Sequence, residues 1–332
     1  MVRRLILVLV LVVGAALGYG WWSYQQFLVT PLQVPDGGTE WILERGTSYR
    51  AMVRDLAERG VLEDGWRWRL LGVLDPRTRR LQAGEYALAP DLTPSELLAL
   101  LEAGAVVLHR FTIVEGWNFA TLRATLLEHP DVEPDLGDLD GAALMASLGS
   151  DQSHPEGWFL PETYRFPRGT RATVILQRAH DAMRKALEEA WAGRATGLPL
   201  DSPYEALILA SIIEKETAVP EERGEIAGVF VRRLERGMRL QTDPTVIYGI
   251  GPAFDGNLRR RDLRADTPYN TYTRHGLPPT PIALPGRASL EAAVNPAPGE
   301  TLYFVSRGDG SHEFSVTYAE HERAVDRYQR KR

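Results

Sequence analysis

Two glutamates at the end of a strongly apolar segment are the first candidates for chemistry in this chain. The segment at 202–217 reads SPYEALILASIIEKET, and between Ala206 and Ile213 the single polar side chain is Ser211. A helix of this composition is normally buried. Burial at the end of such a helix would desolvate the carboxyl of Glu214 or Glu216 and raise its pKa. A carboxyl that keeps its proton near neutral pH can act as a general acid.

Helical periodicity separates the two acids. Counting back three, four and seven positions from Glu216 reaches a wholly aliphatic set: Ile213, Ile212 and Leu209. The same count from Glu214 reaches a set that includes a hydroxyl: Ser211, Ala210 and Leu207. Because residues at these spacings share a helix face, the pattern favours Glu216 as the acid and Glu214 as a supporting or structural residue. The alternative is a solvated helix end, with the acids paired to Lys215 or Arg223.

The elements that must position these acids are marked by local signals. Ser202 and Glu205 have the spacing of a capping box, and Pro203 fits the first helical position, so the helix is predicted to begin there. A long amphipathic helix is predicted before it, at 172–192, and a second one after it, at 221–236. The two acids therefore lie where two predicted helices meet.

Further polar candidates follow this helical region. Gln241, Asp243 and Tyr248 interrupt a segment that is otherwise suited to packing. The loop at 266–286 contains five prolines, which restrict its backbone and can hold Asn270 and Tyr272 in fixed positions. Loops held on a rigid scaffold often carry functional residues.

The N-terminus predicts a membrane anchor. Residues 5–22 carry no charge, and residues 5–24 are long enough to span a bilayer. Arg3 and Arg4 precede this run, so the positive-inside rule places residues 1–4 in the cytoplasm. Tyr19, Trp21 and Trp22 would form an aromatic belt at the far interface. A cleavable signal peptide is the alternative, but no small-residue cleavage site follows the run.

Composition excludes several classes of function. The net charge is −6, and it becomes −8 without the two arginines that precede the apolar run, which argues against nucleic acid as a partner. The chain has no cysteine, so disulfides, a thiol nucleophile and thiolate metal ligands are excluded. The histidines His275, His312 and His321 match no known metal-site spacing, and neither a metal nor a cofactor is expected.

Between Thr39 and Leu88 the pattern is strand, helix, helix, strand. The strands are predicted at 41–44 and 85–88, and the helices at 48–59 and 65–74. This βααβ unit resembles the LysM fold, a small module that binds N-acetylglucosamine chains. A plain α+β packing unit explains the same pattern. A further helix follows from the capping sequence at 93–96 to Gly104, and then a strand at 106–114.

Beyond this module the residue composition of the chain changes. The stretch from 130 to 153 is acidic and rich in turn residues, which predicts a domain boundary. The sequence EGWFLPETY at 156–164 then combines aromatic residues with acids that include Glu162, a combination found in sugar-binding grooves. An ordinary aromatic-rich loop is the alternative. The tail predicts a strand at 301–305, a strand at 312–316 and a helix capped by Thr317.

Several of these motifs, in this order, resemble the YceG family of membrane-anchored endolytic murein transglycosylases. They are EGWFLPETY, LASIIEKET, GMRLQTDPTVIYG, YNTY, GLPPTPI and the terminal YFV, HEF and EH. The resemblance covers essentially the whole chain and implies that the second acid of EKET, Glu216, is the catalytic residue. It also implies cleavage of the β-1,4 bond between N-acetylmuramic acid and N-acetylglucosamine within glycan strands, without water, leaving a 1,6-anhydro-muramyl end.

The resulting prediction is an α+β protein with a single N-terminal transmembrane helix, a LysM-like βααβ module and a mixed α+β catalytic domain. Its parts are a cytoplasmic tail at 1–4, an anchor at 5–24, the module at 39–104, a connecting region at 105–152 and the catalytic domain at 153–332. The expected location is the cytoplasmic (inner) membrane, with the catalytic domain outside the cytoplasm. Peptidoglycan strands are the expected partner, and cell-wall synthases are further candidates.

A single acid is sufficient for this chemistry. Hydrolytic glycosidases generally need two carboxylates. When the 6-hydroxyl of the sugar is the nucleophile, one group can protonate the leaving oxygen and then accept the hydroxyl proton. Glu216 is predicted to do both, and the residues expected to bind sugar or to orient the carboxyl are Glu214, Glu162, Gln241, Asp243, Tyr248, Asn270 and Tyr272.

Two alternatives are consistent with the same sequence. The first is a hydrolytic muramidase with Asp243 as the second carboxylate, which would leave a reducing end. The second is a non-catalytic peptidoglycan-binding scaffold, in which the LysM-like module carries the function.

Overall fold

The computed structural model describes residues 2–330, which form two compact units. The smaller unit comprises the chain up to His109 together with Phe166–Arg168. The larger unit comprises Arg110–Arg165 and the chain from Gly169 onward. Helices are combined with short two-stranded sheets, so the predicted mixed α+β fold is confirmed.

The smaller unit begins with α1 (Val2–Val29), which is long and apolar enough to cross a membrane. Its side chains are exposed over most of its length, but Ser23 and Tyr24 are buried near its C-terminal end. There Phe27 meets the ring of Trp68 edge-on, with 5.0 Å between the centroids. The end of α1 is therefore part of the core of this unit.

The elements that follow are β1 (Thr39–Leu43), α2 (Tyr49–Glu58), α3 (Trp66–Leu74) and β2 (Gly84–Leu88). The two strands pair in antiparallel fashion, with Trp41 opposite Tyr86. The order of strand, two helices and strand is as expected from the sequence, whereas the LysM assignment stays a prediction. The next helix, α4 (Pro94–Ala103), has the predicted capping box of Thr93 and Glu96. The strand β3 (Leu108–Thr112) then carries the chain into the larger unit.

The larger unit contains two groups of elements. The first group comprises α5 (Phe119–Leu127), β4 (Val132–Glu133), α6 (Gly141–Ser147), β5 (Thr163–Pro167, whose last two residues belong to the smaller unit), β6 (Thr170–Arg171) and α7 (Ala172–Ala192). The second comprises α8 (Pro203–Glu216), α9 (Arg223–Glu235), α10 (Asp243–Ile250), α11 (Arg260–Arg264), α12 (Arg287–Val294), β7 (Tyr303–Ser306), β8 (His312–Ser315) and α13 (Tyr318–Val325). The strands β4 and β6 pair in parallel, and β7 and β8 pair in antiparallel fashion.

Helix α8 lies at the centre of this unit. It contacts α7, α9, α10 and α12. Every residue from Ala206 to Ile213 is buried, and the most exposed of them, Ile208, is only 4% exposed. Burial on all sides explains why this helix lacks a polar face. It also means that its two terminal acids lie at the end of a buried helix.

Several details differ from the sequence predictions. The capping box at α8 is incomplete, because Glu205 bonds the backbone N–H of Asp201 rather than that of Ser202. The rings of EGWFLPETY do not line a groove: Trp158, Phe159 and Tyr164 are at most 8% exposed. Sequence periodicity also missed α10, whose eight residues follow directly after Thr242.

Candidate active site

Glu216 is the last residue of α8, and its side chain is partly buried. The helix ends there because Thr217 adopts an extended conformation. The neighbouring Lys215 is exposed, and its Nζ donates to the carbonyl of Gly116 at 3.2 Å. The alternative of a solvated helix end with paired charges is therefore not what the structure contains: no ion pair to either acid occurs in the described residues.

Thr242 holds the carboxyl of Glu216. Its hydroxyl donates to Glu216 Oε1, and Thr242 itself is only 2% exposed. The backbone N–H of Thr242 donates to Thr271 Oγ1 at 3.1 Å, and Thr245 Oγ1 donates to the carbonyl of Thr242 at 2.8 Å. These buried threonines hold the backbone of Thr242, and thereby the position from which its hydroxyl reaches Glu216.

The pKa of Glu216 is raised to about 7, chiefly because burial disfavours the charged carboxylate. The hydrogen bond from Thr242 lowers the pKa, the negative charge of Asp243 raises it, and the positive charge of Arg233 lowers it. A substantial fraction of the carboxyl is thus protonated at neutral pH. This is the protonation state that a general acid needs.

Arg233 supplies a fixed positive charge near Glu216. Its guanidinium is buried, and it donates to the carbonyl of Leu302 at 2.7 Å and to the carbonyl of Leu240 at 2.8 Å. It also lies over the ring of Tyr303, 5.2 Å from the centroid. Because these groups fix the guanidinium, its charge stabilises the carboxylate form of Glu216 without a direct ion pair.

Asp243 and Tyr272 form the polar pair beside this acid. Asp243 is the first residue of α10 and is exposed. The Tyr272 hydroxyl donates to Asp243 Oδ1 at 2.6 Å. Burial, the hydrogen bond and the charges of Asp243 and Glu216 all raise the pKa of Tyr272, so its phenol keeps its proton and remains a donor.

Gln241 is unusual in its backbone rather than in its side-chain contacts. Its φ of 52° makes it the only non-glycine residue with positive φ among residues 2–330. The conformation costs about 1–2 kcal/mol for a residue with a side chain. Its N–H donates to the carbonyl of Thr271 at 3.2 Å. The resulting kink turns the chain immediately before Thr242 and delivers that hydroxyl to Glu216.

Asn270 organises the proline-rich loop from within. It is completely buried, and its Nδ2 donates to the carbonyl of Ala265 at 2.7 Å, just after α11. Its Oδ1 accepts from the N–H of Tyr272 at 2.9 Å. With its side chain used in this way, Asn270 acts on the site through the position of Tyr272.

Glu214 faces a different helix. Its Oε2 accepts from the N–H of Gly286 at 3.0 Å and from Ser289 Oγ at 2.7 Å, at the start of α12. A carboxylate at a helix N-terminus is stabilised by the free N–H groups there. Helical periodicity alone would not have separated the two acids, since every residue of both stripes is buried. What distinguishes them is their contacts.

The predicted residues are not all brought together. Glu162 is exposed, and its Oε1 lies 3.4 Å from Nε of Arg287. Tyr248 bonds a different acid, Glu156, to whose Oε2 its hydroxyl donates at 3.0 Å. The part of the chain that the structure describes shows no hydrogen bond from either residue to Glu216 or its partners. It also contains no group of three acidic or histidine side chains that could hold a metal.

Proteins of a known family resemble this chain in sequence. The chain matches the model of the YceG-like family over residues 42–327. The chain belongs to this family. A protein of Bacillus subtilis named endolytic murein transglycosylase is 31% identical over 264 residues, which cover 74% of this chain and 73% of the relative. A protein of the same name from Streptococcus pneumoniae is 25% identical over 346 residues, which cover 92% of this chain and 62% of the relative.

A solved structure from the family agrees with the fold. The crystal structure of a YceG-like protein from Listeria monocytogenes at 2.6 Å resolution is 28% identical to this chain. The superposition has a TM-score of 0.51 and covers 86% of this chain and 99% of the other. The fold of this YceG-like chain is therefore shared with a relative known from experiment.

Sequence reasoning missed one important residue of this YceG-like chain, Glu156. It is 3% exposed, and its Oε1 accepts from the N–H of Phe119 at 2.9 Å. Burial raises its pKa to about 7, although the hydrogen bonds from Phe119, Tyr248 and Gly157 lower it. Its position directly before the apolar run at 157–160 was the sequence signal that could have identified it. Burying an acid there is energetically unfavourable unless the carboxyl has hydrogen-bond partners.

A groove of ≈ 930 Å³ links this second acid to α10. One face of α10 lines it, with residues at the spacing i, i+3, i+4 and i+7: Pro244, Ile247, Tyr248 and Gly251. Glu156 and Lys215 line the groove as well, as do the rings of Trp117, Phe254 and Tyr269. Lys215, which directly precedes Glu216 in this YceG-like chain, therefore borders the groove.

Proposed function

We propose that this chain is an endolytic lytic transglycosylase of peptidoglycan. The proposed reaction cleaves the β-1,4 bond between N-acetylmuramic acid and N-acetylglucosamine within glycan strands and leaves a 1,6-anhydro-muramyl end. Membership in the YceG-like family and the names of the relatives support this reaction class. The observation that carries the proposal is the carboxyl of Glu216, desolvated, held by Thr242 and with its pKa raised to about 7.

The proposed mechanism uses that carboxyl twice. Glu216 first donates its proton to the glycosidic oxygen, and the bond from C1 to that oxygen breaks. The 6-hydroxyl of the muramyl residue then bonds to C1, and the Glu216 carboxylate accepts the hydroxyl proton. The acid is thereby regenerated and no water is consumed. Intramolecular attack is efficient because the nucleophile is already held next to C1.

The supporting groups are assigned by their contacts. Thr242 orients the carboxyl of Glu216, and the kink at Gln241 positions Thr242. Asp243 directly follows Thr242 in the sequence and is held by Tyr272. Its negative charge would stabilise the positive charge that develops at C1. Asn270 and Glu214 act from within the fold, by fixing the loop of Tyr272 and the start of α12.

Hydrolysis is the second candidate, and one observation favours it. Asp243 is exposed, and its charge acts on Glu216, so it could activate a water molecule as a second carboxylate. The two reactions differ in their product: hydrolysis leaves a reducing end and transglycosylation an anhydro end. Mass spectrometry of the ends released from purified sacculi separates them. A non-catalytic scaffold would release neither product.

Replacing Thr242 by valine should shift the pH dependence of the reaction. In the wild-type enzyme, kcat/KM is expected to fall as the pH rises through about 7, because Glu216 then loses the proton that it must donate. The Thr242 hydrogen bond favours the carboxylate, so its loss raises the pKa of Glu216 and moves the falling limb to higher pH. Initial rates measured from pH 5 to 9 test this; a limb that stays in place or moves down contradicts it.

The proposed location follows from α1. As a single-pass anchor of the cytoplasmic membrane, with its N-terminus in the cytoplasm, it would hold the catalytic unit against the cell wall. Cuts made there within new strands would terminate their elongation, and cell-wall synthases are the corresponding candidate partners. The βααβ module is a candidate LysM-like site for N-acetylglucosamine chains.

A further inference from the structure

A groove on the smaller unit is lined by arginines. It has a volume of ≈ 530 Å³ and lies between α2 and α3. Four guanidinium groups line it: Arg50 and Arg54 of α2, Arg69 of α3, and Arg79 beyond it. Asp64 is the one acidic residue in its lining. We call these four residues and the space between them the arginine groove.

The charges of the arginine groove are not compensated within the unit. Three nearby arginines outside it are paired: Arg59, Arg77 and Arg80 lie within 3.1 Å of Asp55, Asp75 and Glu102. None of the four groove arginines forms an ion pair within residues 2–330, and all four are exposed. Residues 45–80 contain nine arginines and five acidic residues, a net charge of +4 in a chain whose net charge is −6.

The arginine groove adjoins the end of the apolar helix. A second groove is lined by Tyr19, Trp22 and Ser23 of α1, and both grooves share Asp64 and Trp68 in their linings. Arg67 Nη2 donates to Ser23 Oγ at 2.8 Å, which ties the start of α3 to α1 where the predicted span ends. Trp66, beside it, is 50% exposed, an interfacial placement that tryptophan favours.

We propose that the arginine groove binds the phosphates of anionic phospholipid headgroups in the leaflet from which α1 emerges. This inference rests on the proposed membrane anchor but not on the proposed reaction. Guanidinium groups suit the ligand because their planar set of donors matches phosphate oxygens. Arginines within about a Debye length of an anionic surface are attracted to it. Binding there would fix the height of the module above the membrane.

A single-site label can test this contact, since the chain contains no cysteine. Val73 lines the arginine groove and is 76% exposed, so Val73→Cys can carry a spin label. Ile42, on β1 and 46% exposed, lies outside the groove lining and provides the control label as Ile42→Cys. The full chain is reconstituted in nanodiscs of phosphatidylcholine, or of equal parts phosphatidylcholine and phosphatidylglycerol. Reconstitution itself tests the anchor.

The expected result is a several-fold loss of accessibility to a water-soluble relaxation agent at position 73 when phosphatidylglycerol is present, with no change at position 42. High salt should reverse the loss, because it screens surface charges. The triple variant Arg50→Gln, Arg54→Gln, Arg69→Gln should abolish it. The triple variant Arg45→Gln, Arg59→Gln, Arg80→Gln, with the same change in net charge outside the groove, should retain it.

Three outcomes would overturn the proposal. The first is equal accessibility of position 73 in both kinds of nanodisc. The second is equal loss of protection in the two triple variants, which would mean that net charge rather than the groove is responsible. The third is protection by inorganic phosphate in phosphatidylcholine nanodiscs, which would assign the groove to a soluble anion. None of these readouts depends on catalysis, so the reaction can fail or hold independently.

Discussion

Glu216→Gln is expected to lower the rate of release of anhydro-muropeptides from sacculi by at least about 10³-fold. Glutamine has the same shape but cannot donate a proton to the glycosidic oxygen or accept one from the 6-hydroxyl. Both roles are assigned to one carboxyl, so both are lost in a single substitution. The loss should appear in kcat, because the shape of the binding surface is retained.

The matched control is Glu221→Gln. Glu221 is exposed, lies just beyond the end of α8 and forms no side-chain hydrogen bond in the described residues, so its substitution should leave the rate unchanged. Thermal unfolding of both variants establishes that they are folded. A folded Glu216→Gln enzyme with a rate near the wild-type value would remove Glu216 from the mechanism.

Glu156→Ala is expected to lower kcat by between about 10- and 100-fold, although Glu156 makes no contact with Glu216. Its Oε2 holds the Tyr248 hydroxyl, and Tyr248 lies on α10, which begins next to Thr242. Its loss removes the acceptor of the Tyr248 hydroxyl and leaves the N–H of Phe119 without a partner, which should also reduce the free energy of unfolding by about 1–3 kcal/mol. Glu156 is thus proposed as a positioning residue that acts through α10.

Glu156→Gln distinguishes positioning from proton transfer. Its Oε1 can accept from Phe119 and its Nε2 can donate to the Tyr248 oxygen, so the rate should stay close to that of the wild type. Tyr248→Phe should lower kcat, and combining it with Glu156→Ala should cost little more, because both remove one contact. If Glu156→Gln were as inactive as Glu216→Gln, Glu156 would transfer a proton and the positioning role would be wrong.

The residues around Glu216 differ in how far local sequence predicts them. The burial of α8 follows from the composition of Ala206–Ile213 alone, and a buried helix that ends in acids is a local pattern. Thr242 lies 26 positions from Glu216 and Glu156 lies 92 from Tyr248. Contacts of that kind depend on how helices pack, which a single sequence does not encode locally.

The exposure of the aromatic residues is also not predicted by local sequence. Trp158 and Phe159 have the composition of a sugar platform, but Trp158 stacks on Tyr204 with 5.9 Å between the centroids and Phe159 is completely buried. Composition specifies large apolar surfaces and not which of them face solvent. By contrast, the βααβ module and the helix after it can be predicted from the sequence because their signals are local: the cap at Ser48, the buried face of α2 and the capping box at Thr93.

The most direct test of the central claim is digestion of purified sacculi in water enriched in ¹⁸O, followed by mass spectrometry of the new muramyl ends. If the 6-hydroxyl is the nucleophile and Glu216 the only acid and base, every new end should be a 1,6-anhydro end, lighter than a reducing end by one water and free of ¹⁸O. New reducing ends that carry ¹⁸O at C1 would show that water is the nucleophile. That result would contradict the mechanism and favour hydrolysis with Asp243 as the second carboxylate.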